Sequence, residues 1–426
     1  MTVDTRKPGN PELKRLAGLV TAHAAVLSDQ LQELRLDLFP PSAEKPLRAF
    51  QASEVAKLLG VKAGYLRSLS LEGKGPAPLV TPTGRRSYTA QQILELRRFL
   101  SATGRASREY DPRRRGGDHL QVIPVLNFKG GSCKTTTTAH LAQYLALRGH
   151  RVLAIDLDPQ ASLSALHGFQ PERDLAPNQT LYGAIRYDDD AQILSRIVRK
   201  TNFPRLDIVP AGIELMEFEY ETSMVLATGD GKGKEAFFTR VESAISDVGD
   251  LYDVVVMDCP PHLGFLTMAC LCAATSLLVT IHPQMLDVMS MSQFLLMMGN
   301  VLASLDNAGV EIRFDWMRYL ITRYDPADVP QSRMVGFVRK LFGEHVIPHP
   351  MLKSVAISDA GMTKQTLYEV ERRDLSRNTY DRAMESLEAV NGEIECLIHA
   401  AWHRIEPAGG AEGEDVEATP EVANVA

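Results

Sequence analysis

Residues 121–128 read QVIPVLNF, and directly behind them stand Lys129-Gly130-Gly131-Ser132-Cys133-Lys134-Thr135-Thr136. An apolar run of strand length thus leads into a glycine-rich loop, and helical spacing follows from Thr138 to Gly149. A short G-x-x-G by itself says little. Between a strand and a helix, however, it turns backbone N–H groups toward an anion, and the positive end of the helix faces the same point. Lys134 is then placed to neutralise the β- and γ-phosphates of a nucleotide, and Thr135 supplies the hydroxyl expected on Mg²⁺. Cys133 stands where most such loops carry glycine. If that position needs a positive φ, the cysteine costs about 1–3 kcal/mol of strain, and binding is expected to survive it.

Working outward, the apolar strands RVLAIDLD, YDVVVMD, TSLLVTI and MRYLIT alternate with helical stretches around 285–304 and 379–404. That alternation predicts a largely parallel sheet flanked by helices. The methionines of 285–304, like Cys270 and Cys272, read as helix packing. Asp258 ends one strand and is followed by CPPHLG, the position from which a carboxylate holds Mg²⁺ directly or through water. Asp158 closes RVLAIDLD and would face the same crevice, since open α/β sheets bind ligands at the C-terminal ends of their strands.

Upstream the charge changes. From Arg48 to Arg115 there are 14 Lys and Arg against 5 Asp and Glu, on a chain whose net charge is −7. A basic segment on an acidic protein points to a polyanion partner. The pattern there is helix, turn, helix, ribbon, helix. Ser53 can cap a helix carrying Val55, Ala56, Leu58 and Leu59 inward, and Gly60 permits the turn. A second helix, Ala63 to Glu72, buries Leu66 and Leu69 and presents Lys62, Tyr65, Arg67 and Ser68. TPTGRRSYT reads as a small hairpin bending at Gly84, with Arg85 and Arg86 near its tip. A helix-turn-helix with a basic wing places side chains in a major groove and arginines on phosphates. Such small helical units also serve protein contacts alone.

Residues 12–38 place Leu13, Leu16, Val20, Ala24, Leu27, Leu31, Leu34 and Leu38 on one stripe, ended by Pro40 and Pro41. The stripe either packs on the neighbouring domain or pairs with a second chain, and the second reading is favoured. No run of 18 apolar residues appears, so no membrane span is expected. Five cysteines without a C-x-x-C pair suggest reduced thiols in a cytoplasm.

KGGxxKTT with its extra leading lysine, DLDPQ and VVxDxPP together resemble the deviant Walker A family of ParA ATPases, over roughly 120–400. The segment ASEVAKLLGV…YLRSL…GRRSYTAQQI resembles MerR-type winged helix-turn-helix domains. The long N-terminal extension is similar to that of the larger plasmid members, and the stretch 127–168, NFKGGSCKTTTT…SALHG, resembles above all the RepA group of RepABC replication and partition cassettes. The resemblance implies an ATP/ADP- and Mg²⁺-dependent ATPase, slow and raised by a ParB/RepB-type centromere-binding partner. It assigns Lys129 to the partner's phosphates across a nucleotide sandwich homodimer, Asp158 to hydrolysis, Asp258 to Walker B, and Thr322 to the neighbourhood of the nucleobase. Metal ligation falls to Thr135, Asp158 and Asp258.

The organisation expected is an N-terminal dimerisation helix (1–46), a winged helix-turn-helix (47–104), a flexible basic linker (105–118), a P-loop ATPase domain (119–406) and a disordered acidic tail (407–426). The function expected is plasmid segregation, with non-specific binding of double-stranded DNA by the ATP dimer and specific binding at its own operator. The chain would be cytoplasmic and nucleoid-associated when ATP-bound, without a membrane role. The alternative is a nucleotide-sensing repressor with no direct part in segregation. A membrane-associated or metallocluster relative would need a basic terminal helix or paired cluster cysteines, and neither pattern is present.

Overall fold

The computed structural model describes residues 11–38, 45–82, 84–103, 110–229, 236–307 and 309–403. The expected acidic tail, 407–426, lies outside the described residues, as do 105–109 of the expected linker.

The N-terminal helix α1 (Pro11–Leu38) leaves Leu16, Val20, Leu27, Leu31 and Leu34 exposed. Its contacts to the body include a Gln170 amide on the Ser28 carbonyl and an ion pair between Arg173 and Asp29. A small unit follows: β1 (Phe50–Gln51), α2 (Ala52–Leu59), α3 (Ala63–Leu71), β2 (Leu79–Val80), β3 (Arg86–Tyr88) and α4 (Ala90–Thr103). Its three strands form an antiparallel sheet in the order β1-β3-β2. Gly60 ends α2 at φ +67°, where a side chain would clash with its own backbone. The 81–85 bend is closed by the Thr81 N–H on the Arg85 carbonyl.

The main sheet holds β4 (Gln121–Leu126), β5 (Val152–Asp156), β6 (Arg199–Lys200), β7 (Leu206–Val209), β8 (Val254–Asp258), β9 (Ser276–Ile281) and β10 (Trp316–Ile321) in the order β10-β9-β4-β8-β5-β7-β6. Every pairing is parallel except the edge pair β6–β7. Pro124 sits in the central strand because β4 pairs with β9 only from Val125 onward; before that the Thr275 hydroxyl takes the Val122 N–H. Numbering only helices of seven residues or more, the chain continues with α5 (Lys134–Arg148), α6 (Leu215–Thr228), α7 (Arg240–Ser246), α8 (Phe265–Ala273), α9 (Met285–Asn307), α10 (Val329–Phe342), α11 (Val355–Met362) and α12 (Arg377–Ala401).

Strand residues alternate between two cores. Ile123, Val125, Ala154, Val254 and Val256 pack with α5, α12 and the small unit. Val122, Leu153, Ile155, Val255 and Met257 pack with α7, α8, α9 and α10. The small unit is therefore joined to the larger domain through a shared core.

Two expectations are corrected here. The basic linker is docked where it is described: the Arg114 N–H bonds Asp253, its guanidinium bonds the Gly249 carbonyl, and Arg113 pairs with Asp111. The buried Asp253 carboxylate draws the chain in. The methionines of α9 divide, with Met291 and Met298 buried but Met285, Met289 and Met297 exposed. Helix α9 is long and apolar enough by composition to cross a membrane, yet it lies against the sheet through Met291, Phe294, Met298 and Leu305.

Candidate functional site

The loop between β4 and α5 is held from below. Asn127 donates to the Thr280 carbonyl at 2.5 Å and accepts from the Lys129 N–H at 2.8 Å. The Ser132 hydroxyl donates to the Lys129 carbonyl and takes a bond from the Thr280 hydroxyl. Gly131 adopts φ +80° and Cys133 φ +64°, so the cysteine does occupy a left-handed position immediately before α5. Burial pushes its thiol up, leaving it largely un-ionised at neutral pH.

Lys134 opens α5 and is buried, with its ammonium 3.2 Å from the Lys129 carbonyl. Burial lowers its pKa, while Asp258 pulls in the other direction. Poor hydration leaves the ammonium open to an anion, and the neighbouring Asp258 favours its charged form. Asp156 and Asp258 are direct register partners at the C-terminal ends of β5 and β8, and both are fully buried. Both Asp258 carboxylate oxygens are buried and have no close hydrogen-bond partner among the described residues. Burial and the Asp156 charge hold Asp258 well above the usual carboxylate range.

Asp158 lies two residues past the end of β5, at the crevice rim rather than on the strand. Its N–H bonds Asp156, and its own carboxylate accepts the Gln160 N–H. Asp156 also accepts the Ser164 N–H and hydroxyl at 2.8 and 2.7 Å, which fixes the loop carrying Asp158. Sequence reasoning passes over Asp156, although it is the first carboxylate of the same IDLD stretch.

Lys129 is half-exposed and pairs within its own chain with Asp287, at 2.9 Å, on the first turn of α9. No motif marks Asp287, so only the fold reveals it. Thr322 is fully buried beneath the loop, and its hydroxyl donates to the Ser132 carbonyl at 3.0 Å. Directly after β10 and under the loop, it helps to shape the cradle. Its neighbour Arg323 is exposed, holds φ +52° and donates to the Gly131 carbonyl. Thus Lys129, Ser132, Lys134, Asp158 and Asp258 are brought to one crevice. The groups assigned to DNA lie on the small unit. Lys62, Tyr65, Arg67 and Ser68 are exposed along α3, Arg85 is exposed at the bend, and Arg86 is half-buried.

The chain is 57% identical over 387 residues to a putative replication protein A of Sinorhizobium fredii, covering 91% of this chain and 95% of that one. It is 30% identical to the protein SopA of Escherichia coli over 85% of this chain and 92% of SopA. The chain belongs to the ParA family of partition ATPases. Residues 120–312 match the AAA-domain family, and this span starts just before β4 and ends short of β10. Among solved structures, one titled "Partition Protein" superposes with a TM-score of 0.61 at 19% identity, over 89% of this chain and 98% of that one. A single-substitution variant of Cyanothece McdA, solved as its ATP complex, superposes at 0.52 and 17%, over 69% of this chain and 100% of that one. At those identities the structures establish the shared ParA-type fold.

Proposed function

We propose that the chain is an ATP- and Mg²⁺-dependent plasmid-partition ATPase that also represses its own operon. The observation that carries this is Asp258: a fully buried carboxylate with no close hydrogen-bond partner among the described residues, beside a buried lysine at the mouth of a glycine loop. Such a group costs several kcal/mol in isolation and suits a bound cation. Thr135 and Asp258, with Asp158 at the rim, are the residues to hold that cation. Bound Mg²⁺ neutralises charge on the β- and γ-oxygens as the phosphoryl group transfers.

In this reading the loop Gly130–Thr136 wraps the phosphates and Lys134 meets their charge. Asp158, held by Asp156, orients the attacking water. Lys129 leaves Asp287 and reaches a second subunit's phosphates, so nucleotide joins two chains, with α1 adding a further pairing surface. The small unit reads an operator through Lys62, Tyr65, Arg67 and Ser68, with Arg85 and Arg86 on phosphates. The dimer also binds duplex DNA without sequence preference, is stimulated by a ParB/RepB-type partner, and works in the cytoplasm on the nucleoid. A nucleotide-sensing repressor would need neither Asp158 nor Lys129, and both are present.

Equilibrium titration with ATP tests the site. Lys134→Ala should lose tight binding, whereas Asp158→Ala should bind ATP and release no phosphate. Parental affinity in Lys134→Ala, or parental phosphate release from Asp158→Ala, would refute the roles given to them.

A further inference from the structure

A cleft of about 850 Å³ separates the small unit from the start of α12. One wall carries Arg85 and Arg86 of the hairpin; the other carries Arg372, Arg373 and Arg377 of the larger domain. These five arginines are in different states. Arg372 is paired with Asp381 and Arg373 with Glu371, both in exposed contacts of the kind that contribute little and exchange readily. Arg85, Arg86 and Arg377 show no ion pair among the described residues, and the Arg86 Nε is buried without a hydrogen-bond partner. Guanidinium groups left open on two facing walls call for an anion.

The cleft also holds carboxylates, and their positions decide what kind of anion fits. Glu54, Glu371 and Asp381 lie at the arginine end, tied to Arg48, Arg373 and Arg372, while Glu385 and Glu388 lie further along α12, Glu388 joined to Lys57 near the end of α2. Arg377 and Glu388 are eleven residues apart on one helix, roughly 16 Å along its axis. The hairpin belongs to the arginine end. Gln51 pairs with Ser87 across β1 and β3, Arg48 joins Glu54 of α2's first turn, and the Arg48 guanidinium reaches the Tyr380 hydroxyl, one turn from Arg377. A small anion that filled the cleft would meet the acidic end. An extended polyanion crossing the arginine rim would touch both walls through Arg85, Arg86 and Arg377, and the carboxylates it passes there are already paired with Arg48, Arg372 and Arg373.

We propose that duplex DNA is clamped across this rim, so that Arg373 and Arg377 of the ATPase domain contact the phosphate backbone together with Arg85 and Arg86. This rests on the reading that the small unit binds duplex DNA, and it adds the larger domain to that interface. A duplex seated on α3 and the hairpin is then held by both units of the chain. These contacts carry no base information; they add affinity and salt dependence.

The experiment is a salt titration of the full chain binding the duplex immediately upstream of its coding sequence, beside a scrambled duplex of the same composition. Arg377→Ala and Arg373→Ala should each lower the slope of log K against log salt by about one, and weaken binding about fivefold near 0.15 M salt. The preference for the upstream duplex should stay unchanged. Arg377→Lys should keep most of the slope, which a merely structural arginine would not do. If Arg67→Ala and Arg85→Ala weaken binding while Arg373→Ala and Arg377→Ala leave affinity and slope at parental values, the clamp is overturned and the small unit binds alone. If none of the four variants changes binding, the DNA reading of the small unit fails with it.

Discussion

Cys133 shows how much a single residue can be asked to tolerate. At φ +64° a Cβ crowds the backbone, at about 1–2 kcal/mol for a non-glycine residue. The loop nevertheless keeps its shape, because Thr322 and Arg323, just beyond the end of β10, donate to the carbonyls of Ser132 and Gly131. Cys133→Gly should therefore be stabilising. Part of the relief is offset by the greater freedom of glycine in the unfolded chain, which leaves a net gain of about 0.5–1 kcal/mol. A urea midpoint at or below that of the parent would show that the cysteine is held without strain. Nucleotide affinity should be retained, since the side chain donates nothing to the phosphates.

Among the elements, α5 carries the site at one end and a buried polar array along its flank. His140 and His167 are both fully buried, and desolvation lowers each to about 4. The His140 Nδ1 is 2.7 Å from the Thr136 carbonyl, and its Nε2 takes the Leu367 N–H, an arrangement that requires the neutral ring. Because the unfolded chain protonates near pH 6.5 and the folded one near 4, the unfolded state binds more protons between them. Their contribution to stability is thus fully present above about pH 6.5 and falls as pH drops toward 4. Asp156, pushed up to about 7 by burial, and Asp258 titrate in the opposite sense over that window, so the histidine contribution is read by difference: the urea midpoint of His140→Gln should fall less, or rise more, than the parent's between pH 6.5 and 4. An equal change in the variant would place the titration elsewhere. The same scale holds the clearest gap in sequence reading, since nothing in the local pattern announces β7 (Leu206–Val209). Four residues are too few to establish a period, and their burial comes from β5 alongside.

At the scale of the whole molecule, the join between small unit and ATPase domain turns on Arg97. It is buried with no carboxylate partner among the described residues, donating instead to the carbonyls of Leu58, near the end of α2, and Leu147, near the end of α5. Burial and the neighbouring Arg148 lower it to about 9, and the negative ends of two helices supply the compensation. Arg148 bonds the same Leu58 carbonyl and reaches Glu395 on α12. The full chain should unfold in one calorimetric transition. Arg97→Ala leaves the Leu147 carbonyl short of a donor, at about 1–3 kcal/mol, and the Leu58 carbonyl with Arg148 alone, and should separate the small unit's melting from the larger domain's. A single unshifted transition in that variant would mean that apolar packing alone makes the join.

The sequence by itself determined the strand–loop–helix at 121–148, the parallel sheet built on it, and the family, because these follow from local periodicity and from glycine and lysine at fixed spacing. It also marked the helices of the small unit, where turns and buried leucines agree, although Gln51 and not Ser53 caps α2, and Ser53 lies inside its first turn. Only the tertiary structure decided that Thr322 lies under the loop, that Asp287 holds Lys129, and that Asp156 anchors the Asp158 loop. The docking of residues 110–118 and the facing of Arg85 and Arg86 toward Arg377 likewise depend on segments far apart in the chain. Each of these is a pairing set by how strands, loops and helices are stacked, and the local periodicity of the sequence carries no record of it.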